Sequence, residues 1–249
     1  MRILDSHCLF GRWPKEPRDA SLGKLLEVLK DLGVEKGVCV SLRGVFYDHE
    51  LGNAETLQAC AANRSLVPAA TINPRHYHSR QSLPAELTRQ GFRMLRLFPN
   101  LQGWSSSPGL SVLSPHNVVV ERLFKESAAA KLPIAFPIGK FPEVASFLLR
   151  LAPEGCRVIL SDVYYNELTE CVEVMRRRPD FFMEVGHTCS PGSIEFLCRD
   201  LGAERLVLGT NQPLESGRGA IEAVRRAEIG EKDQAAILGG NLSRLLGGI

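Results

Sequence analysis

The stretch LGKLLEVLKDLGVEKGVCVSLR, residues 22–43, holds one complete helix-to-strand unit. Leu22, Leu25, Leu26, Leu29 and Leu32 recur at helical spacing and form one apolar face. Residues 37–43 then switch to a short apolar run, the pattern of a strand. The same alternation extends in both directions. It predicts strands at 2–7, 37–43, 66–72, 92–98, 132–137, 157–162, 181–186 and 204–210. Helical patterns lie between them, as in Val144, Phe147, Leu148 and Leu151, or Ile194, Leu197 and Leu201. Repeated strand-helix units imply a parallel sheet with helical crossovers. Eight of them without a break in composition predict an α/β chain folded as a single (β/α)8 TIM barrel over residues 1–249. The Gly-Pro-Ser-rich stretch 103–116 follows strand four. It should hang over the C-terminal mouth, where barrel enzymes keep their sites.

Composition narrows the function classes. Hydrophobic residues make up 44% and charged residues 23% of the 249, as in a globular protein. A chain this long buries roughly 70% of its unfolded surface, so its fold requires neither disulfide nor metal. Thirty basic residues nearly match 28 acidic ones, without the basic stripe of a nucleic-acid binder. Arg176, Arg177 and Arg178 end a predicted helix, where cations complement the dipole. Seven cysteines with no Cys-x-x-Cys pair suggest reduced thiols in a cytoplasmic protein. Asp5 comes too early for a signal peptide, and no run reaches the ~20 apolar residues of a membrane span. The expected partner is a small anionic ligand, with no nucleic acid or membrane, and a homodimer is the assembly such barrels often form.

Strand side chains alternate between faces, and in a barrel the inward face leads to the mouth. That rule groups Ile3, Asp5 and His7; Cys39, Ser41 and Arg43; Thr71 and Asn73; and Met94, Arg96 and Phe98. It continues with Ala135 and Pro137, Leu160 and Asp162, Phe182 and Glu184, and Gly209 and Asn211. The predicted mouth therefore holds Asp5, His7, Arg43, Asn73, Arg96, Asp162, Glu184 and Asn211. Buried charges need partners. Two arginines and three carboxylates can pair with one another as a structural network, or hold an anion.

Several segments, in order, resemble the amidohydrolase-related proteins of the amidohydrolase-2 type. They are Ile3-Leu4-Asp5-Ser6-His7-Cys8-Leu9-Phe10-Gly11, Thr71-Ile72-Asn73-Pro74-Arg75, Leu206-Val207-Leu208-Gly209-Thr210-Asn211-Gln212-Pro213 and the closing Ile237–Leu246. The resemblance implies a distorted barrel with a divalent metal that activates water or assists a decarboxylation. The ligands it implies are two histidines on strand one, one each on strands five and six, and an aspartate on strand eight. Here only His7 matches. Leu9, Pro137, Asp162 and Asn211 stand at the other four positions. No cofactor is therefore expected. A single zinc held by His7 and Asp162 with His187 or Glu184 is the rearranged alternative, since a catalytic zinc keeps three protein ligands.

Some relatives act without metal as lactonases on carboxylated substrates, with arginines holding the carboxylates. Arg43, Arg75 and Arg96 suit that role, and guanidinium pairs bidentately with carboxylate. Asn211 cannot act as a general base. The base would then be His7, Asp162 or Glu184, with Asp5 or Asp162 orienting His7. Asn73, Asn211 and His187 complete the expected substrate contacts. His76 and His78 read as surface histidines, and Cys8 and Cys189 as structural thiols. The resulting expectation is a hydrolase of a small carboxylated lactone, ester or amide without the usual binuclear metal site. The competing reading is an inactive barrel that binds a small anion or serves a structural role.

Overall fold

The computed structural model describes residues 1–77, 81–102, 104, 118–139, 143–188 and 190–249. Eight strands follow one another around a single sheet: β1 (Leu4–Phe10), β2 (Lys36–Ser41), β3 (Leu66–Ala70), β4 (Met94–Arg96), β5 (Ile134–Pro137), β6 (Val158–Ser161), β7 (Phe181–Glu184) and β8 (Leu206–Val207). Each pairs in parallel with the next. The ring closes where Ser6 N–H donates to Leu208 O at 2.9 Å and Leu9 N–H to Gln212 O at 2.7 Å. The expected barrel is therefore the observed one.

The crossovers are helices, as the apolar spacing required. They include α1 (Leu22–Asp31), α2 (Leu42–Phe46), α3 (His49–Ala62), α4 (Leu83–Gln90), α5 (Val118–Ala129), α6 (Glu143–Leu151), α7 (Leu168–Arg177) and α8 (Ser193–Leu201). After β8 come α9 (Gly217–Arg226), α10 (Glu231–Ala235) and α11 (Asn241–Leu245). Ser21 and Asp48 accept backbone N–H groups at the starts of α1 and α3, so their caps lie where the sequence changes character. Leu242, Leu245 and Leu246 pack with the barrel's inner residues, and Asn241 holds the carbonyls of Ala203 and Leu206 at 2.7 Å each. No helix among the described residues is long and apolar enough to cross a membrane. The expected loop 103–116, His78 and Cys189 fall outside the described residues apart from Trp104, which is buried.

Two layers of apolar side chains confirm most of the predicted faces and correct three. The inner layer contains Val40, Ala69, Met94, Ala135, Ile159 and Val207, while the outer layer packs against the helices. In β2 the faces are reversed. Val38 and Val40 point inward, and Cys39 points outward to within 3.6 Å of Cys60 on α3. A shift of one residue moves every side chain of a strand to the other face. In β6, Leu160 likewise packs outward. In β1, Leu4 is inside and Ile3 outside, and the register breaks between Asp5 and Cys8.

Candidate active site

The register break in β1 brings two successive side chains to the mouth. Ser6 donates its hydroxyl to Glu184 Oε1 at 2.5 Å, and His7 Nδ1 lies 3.5 Å from Glu184 Oε2. Arg96, at the end of β4, reaches the same carboxylate. Its guanidinium donates to Glu184 Oε1 and to Ser6 O, the latter at 3.0 Å. Arg96 and Glu184 are each 1% exposed. Burial opposes ionisation of Glu184, but the charges of Arg96 and His7 and the Ser6 hydroxyl outweigh it and hold the carboxyl well below its ordinary range. Gly209 makes this possible. A Cβ there would lie 2.4 Å from Glu184 Cδ and 2.6 Å from Ser6 Oγ.

Asp5 is a clasp rather than an orienter of the His7 ring. Its carboxylate accepts from His7 N–H at 2.9 Å, from Thr210 N–H at 3.0 Å and from the Thr210 hydroxyl, tying β1 to the segment after β8. Burial raises its pKa, and these bonds only partly offset that rise.

Above Glu184 opens a cavity of about 390 Å³ at the C-terminal ends of the strands. Its wall includes His7, Leu9, Pro137, Asp162 and Asn211 together. These are the five positions at which the resemblance implied metal ligands, so they do converge. Leucine and proline offer no donor atom there. Among the described residues no group of three His, Cys, Asp or Glu side chains stands close enough to hold a metal ion. The side chains present do not fit the family's ligand set.

Asp162 and Asn211 enter the cavity by backbone twist rather than by alternation. Their φ angles are +52° and +56°, in the left-handed region that Asp and Asn tolerate better than most residues. Such angles are uncommon and recur at functional sites. Asp162 Oδ1 lies 3.8 Å from His7 Nδ1 and 3.9 Å from His187 Nδ1. His187, just past β7, bonds through Nε2 to Glu215 Oε2 at 2.7 Å, and its ring packs against Tyr164 at 4.9 Å between centroids. Asn211 Nδ2 donates to the other Glu215 oxygen at 3.1 Å. Burial works to lower the pKa of His187, but the bond to Glu215 and the charge of Asp162 raise it overall. The His187 bond in turn lowers Glu215. Tyr164 is pushed up to about 12 by burial and then by the charges of Glu215 and Asp162.

Three predicted residues stand elsewhere. Arg43 lies on α2, exposed, beside Arg12, Tyr47 and Glu55 in a separate surface depression. β2 ends at Ser41, whose hydroxyl accepts from Arg43 N–H at 3.1 Å and starts that helix, so the strand does not carry Arg43 to the mouth. Asn73 caps a 3-10 turn by accepting from Arg75 N–H at 3.2 Å, and Arg75 is exposed on that turn. The expected convergence of Arg43, Arg75 and Arg96 is thus corrected: of the three, only Arg96 reaches the mouth, and there it is paired. Glu215 and the aromatic walls Trp13 and Tyr164 were not anticipated. They sit on loops, which strand alternation does not reach; the one signal for Glu215 was its place four residues after Asn211.

Eight parallel strands thus close into a barrel whose C-terminal mouth carries histidine and carboxylate side chains. The chain belongs to the amidohydrolase family of the amidohydrolase-2 type, whose profile matches residues 9–248. Solved structures of the same fold include an uncharacterised TIM-barrel protein of Bordetella bronchiseptica, with TM-score 0.73 and 18% identity over 99% of this chain and 98% of that one. The 5-carboxyvanillate decarboxylase of Sphingomonas paucimobilis has TM-score 0.71 and 16% identity over 98% of both chains. A probable 2-pyrone-4,6-dicarboxylic acid hydrolase of Acinetobacter baumannii, with citric acid bound, has TM-score 0.71 and 14% identity over 99% of this chain and 100% of that one. No curated protein sequence matches this one significantly.

Proposed function

We propose that this protein hydrolyses a small lactone, ester or amide without a metal ion. One observation carries the reading. Both ring nitrogens of His7, Nδ1 of His187, Oε2 of Glu184 and Oδ1 of Asn211 are buried without a hydrogen-bond partner among the described residues. A purely structural ion-pair network satisfies its buried polar atoms. Of these residues His7 and Asn211 line a cavity large enough for a small ligand, Glu184 lies 3.5 Å behind His7, and His187 lies 3.9 Å from the lining residue Asp162.

In this reading His7 takes a proton from the attacking water. The ionised Glu184, 3.5 Å away, stabilises the imidazolium that results. A bond forms between the water oxygen and the carbonyl carbon, and the bond to the leaving oxygen or nitrogen breaks. His187, oriented by Glu215, donates the proton that the leaving group requires. Asn211 offers its carbonyl oxygen as an acceptor and moves no proton. The hydrolase among the structural neighbours supports the reading only as an activity this fold can house. The carboxylate expected on the substrate lacks its arginine clamp, so the proposal rests on carbonyl chemistry alone.

The test is turnover of a panel of lactones, esters and amides by chelator-treated protein and by His7→Gln. Activity that survives chelation and falls by roughly 10²- to 10⁴-fold in His7→Gln supports the proposal. Activity restored only by added zinc or manganese, or no turnover of any panel member, overturns it.

A further inference from the structure

Resting on the site just described, we infer that its ligand carries a protonated amine, held by Asp162, on a small apolar or aromatic body. The argument starts from charge. Among the described residues, no lysine or arginine lines the cavity, whereas Asp162 and Glu215 do. Arg96 lies behind the wall and its charge is met by Glu184. His187 and Glu215 answer each other at 2.7 Å. That leaves Asp162. Its carboxylate accepts no hydrogen bond from any described residue, and its nearest partners are ring nitrogens at 3.8 and 3.9 Å.

The carboxylate is also placed for a ligand. The left-handed backbone at residue 162 turns it into the cavity, where its side chain remains 26% exposed. Asn211 adds a second acceptor. Its Nδ2 is committed to Glu215, which leaves Oδ1 buried and unpartnered. An ammonium donates three hydrogen bonds and needs just such acceptors. Trp13, Phe98 and Tyr164 supply aromatic parts of the wall, beside Leu9, Leu101 and Leu214. Aromatic faces attract cations, and they pack against an apolar ligand body. A carboxylated ligand would meet two carboxylates and no described guanidinium.

Three probes of one size separate the possibilities: benzylamine, benzyl alcohol and benzoate, measured by calorimetric titration at pH 7.5. Benzylamine is expected to bind at least about tenfold more tightly than benzoate, the scale of a hydrogen-bonded charge pair. In Asp162→Asn the advantage of benzylamine over benzyl alcohol should disappear. Asparagine keeps the shape and tolerates the left-handed backbone, so this variant should fold. Glu215→Gln provides a second measurement, in which the preference for the amine should persist because Asp162 is intact. Tighter binding of benzoate than of benzylamine, or an amine preference unchanged in Asp162→Asn, overturns the inference. The readout is binding. A protein that prefers benzylamine but hydrolyses nothing refutes only the catalytic proposal, and an active hydrolase that prefers benzoate refutes only this one.

Discussion

Arg96→Met puts the buried ion pair to the most direct test. Methionine keeps the apolar stem and removes the guanidinium that donates to Glu184 and to Ser6 O. Glu184, 1% exposed, then keeps the Ser6 hydroxyl as its one strong donor. Breaking one side of a buried pair costs about 3–5 kcal/mol, because the remaining charge is stranded. In a chain of this size each kcal/mol lowers Tm by about 2–4 °C, so a drop of roughly 6–20 °C is expected. The double variant Arg96→Met/Glu184→Gln removes the stranded charge as well and should recover most of the loss. The pH dependence has a definite sign. In the parent, Glu184 is held below its ordinary pKa, so it stabilises the fold above the ordinary carboxyl range, and that contribution is lost only as the pH falls through the folded value. In Arg96→Met the largest charge opposing burial is gone, only His7 and the Ser6 hydroxyl still oppose it, and the pKa rises above that of the parent. The folded state then binds the extra proton, and the deficit relative to the parent should shrink on acidification from pH 8 to pH 5. Urea denaturation of the parent, the two single variants Arg96→Met and Glu184→Gln, and the double variant at both pH values measures this. A loss below about 1 kcal/mol in Arg96→Met, or strict additivity in the double variant, would show that the pair is not coupled as described.

Other substitutions probe separate parts of the site. Gly209→Ala places a methyl 2.4 Å from Glu184 Cδ and should cost about 1–3 kcal/mol by overpacking, read as a lower urea midpoint; an unchanged midpoint would refute the crowding. Glu215→Gln removes the bond that raises His187. A raised histidine stabilises the fold fully below its unfolded pKa of about 6.5 and loses that contribution as pH rises through the folded value. NMR titration of the imidazole should therefore show the His187 midpoint moving to lower pH in Glu215→Gln, and no movement would argue against the pairing. Asp48→Ala deletes the cap of α3, whose carboxylate accepts from Leu51 N–H at 2.9 Å, and should cost about 1 kcal/mol by thermal denaturation.

The barrel itself was legible in the sequence because its signals are local. Helical faces such as Leu25 and Leu29 of α1, and short apolar runs between them, repeat eight times, and the structure has eight strands in that order. Alternation also placed Arg96 and Glu184 on the inward faces of regularly pleated strands, and Gly209 in phase two residues past the end of β8. It failed where the pleat is broken. Arg43 follows the point at which β2 becomes a helix, and the register break in β1 brings Ser6 and His7 together on Glu184. Asp162 reaches the mouth although Leu160 points outward, because its left-handed φ resets the phase. Strand alternation registers none of these departures: the first is set by the Ser41 cap of α2, and the break in β1 is held by Glu184, a distant partner.

The sequence by itself thus determined the architecture, the end of the barrel that carries the site, and the absence of donor atoms at Leu9 and Pro137. Tertiary structure decided which charges face a ligand. Arg96 and Glu184 are 88 residues apart and neutralise each other only because two strands meet across the barrel. His187 and Glu215 do the same from two loops. Whether a buried charge is free or answered depends on contacts across the closed ring. A pattern that repeats every two residues specifies faces, and it contains no information about which side chains from opposite strands come within hydrogen-bonding distance.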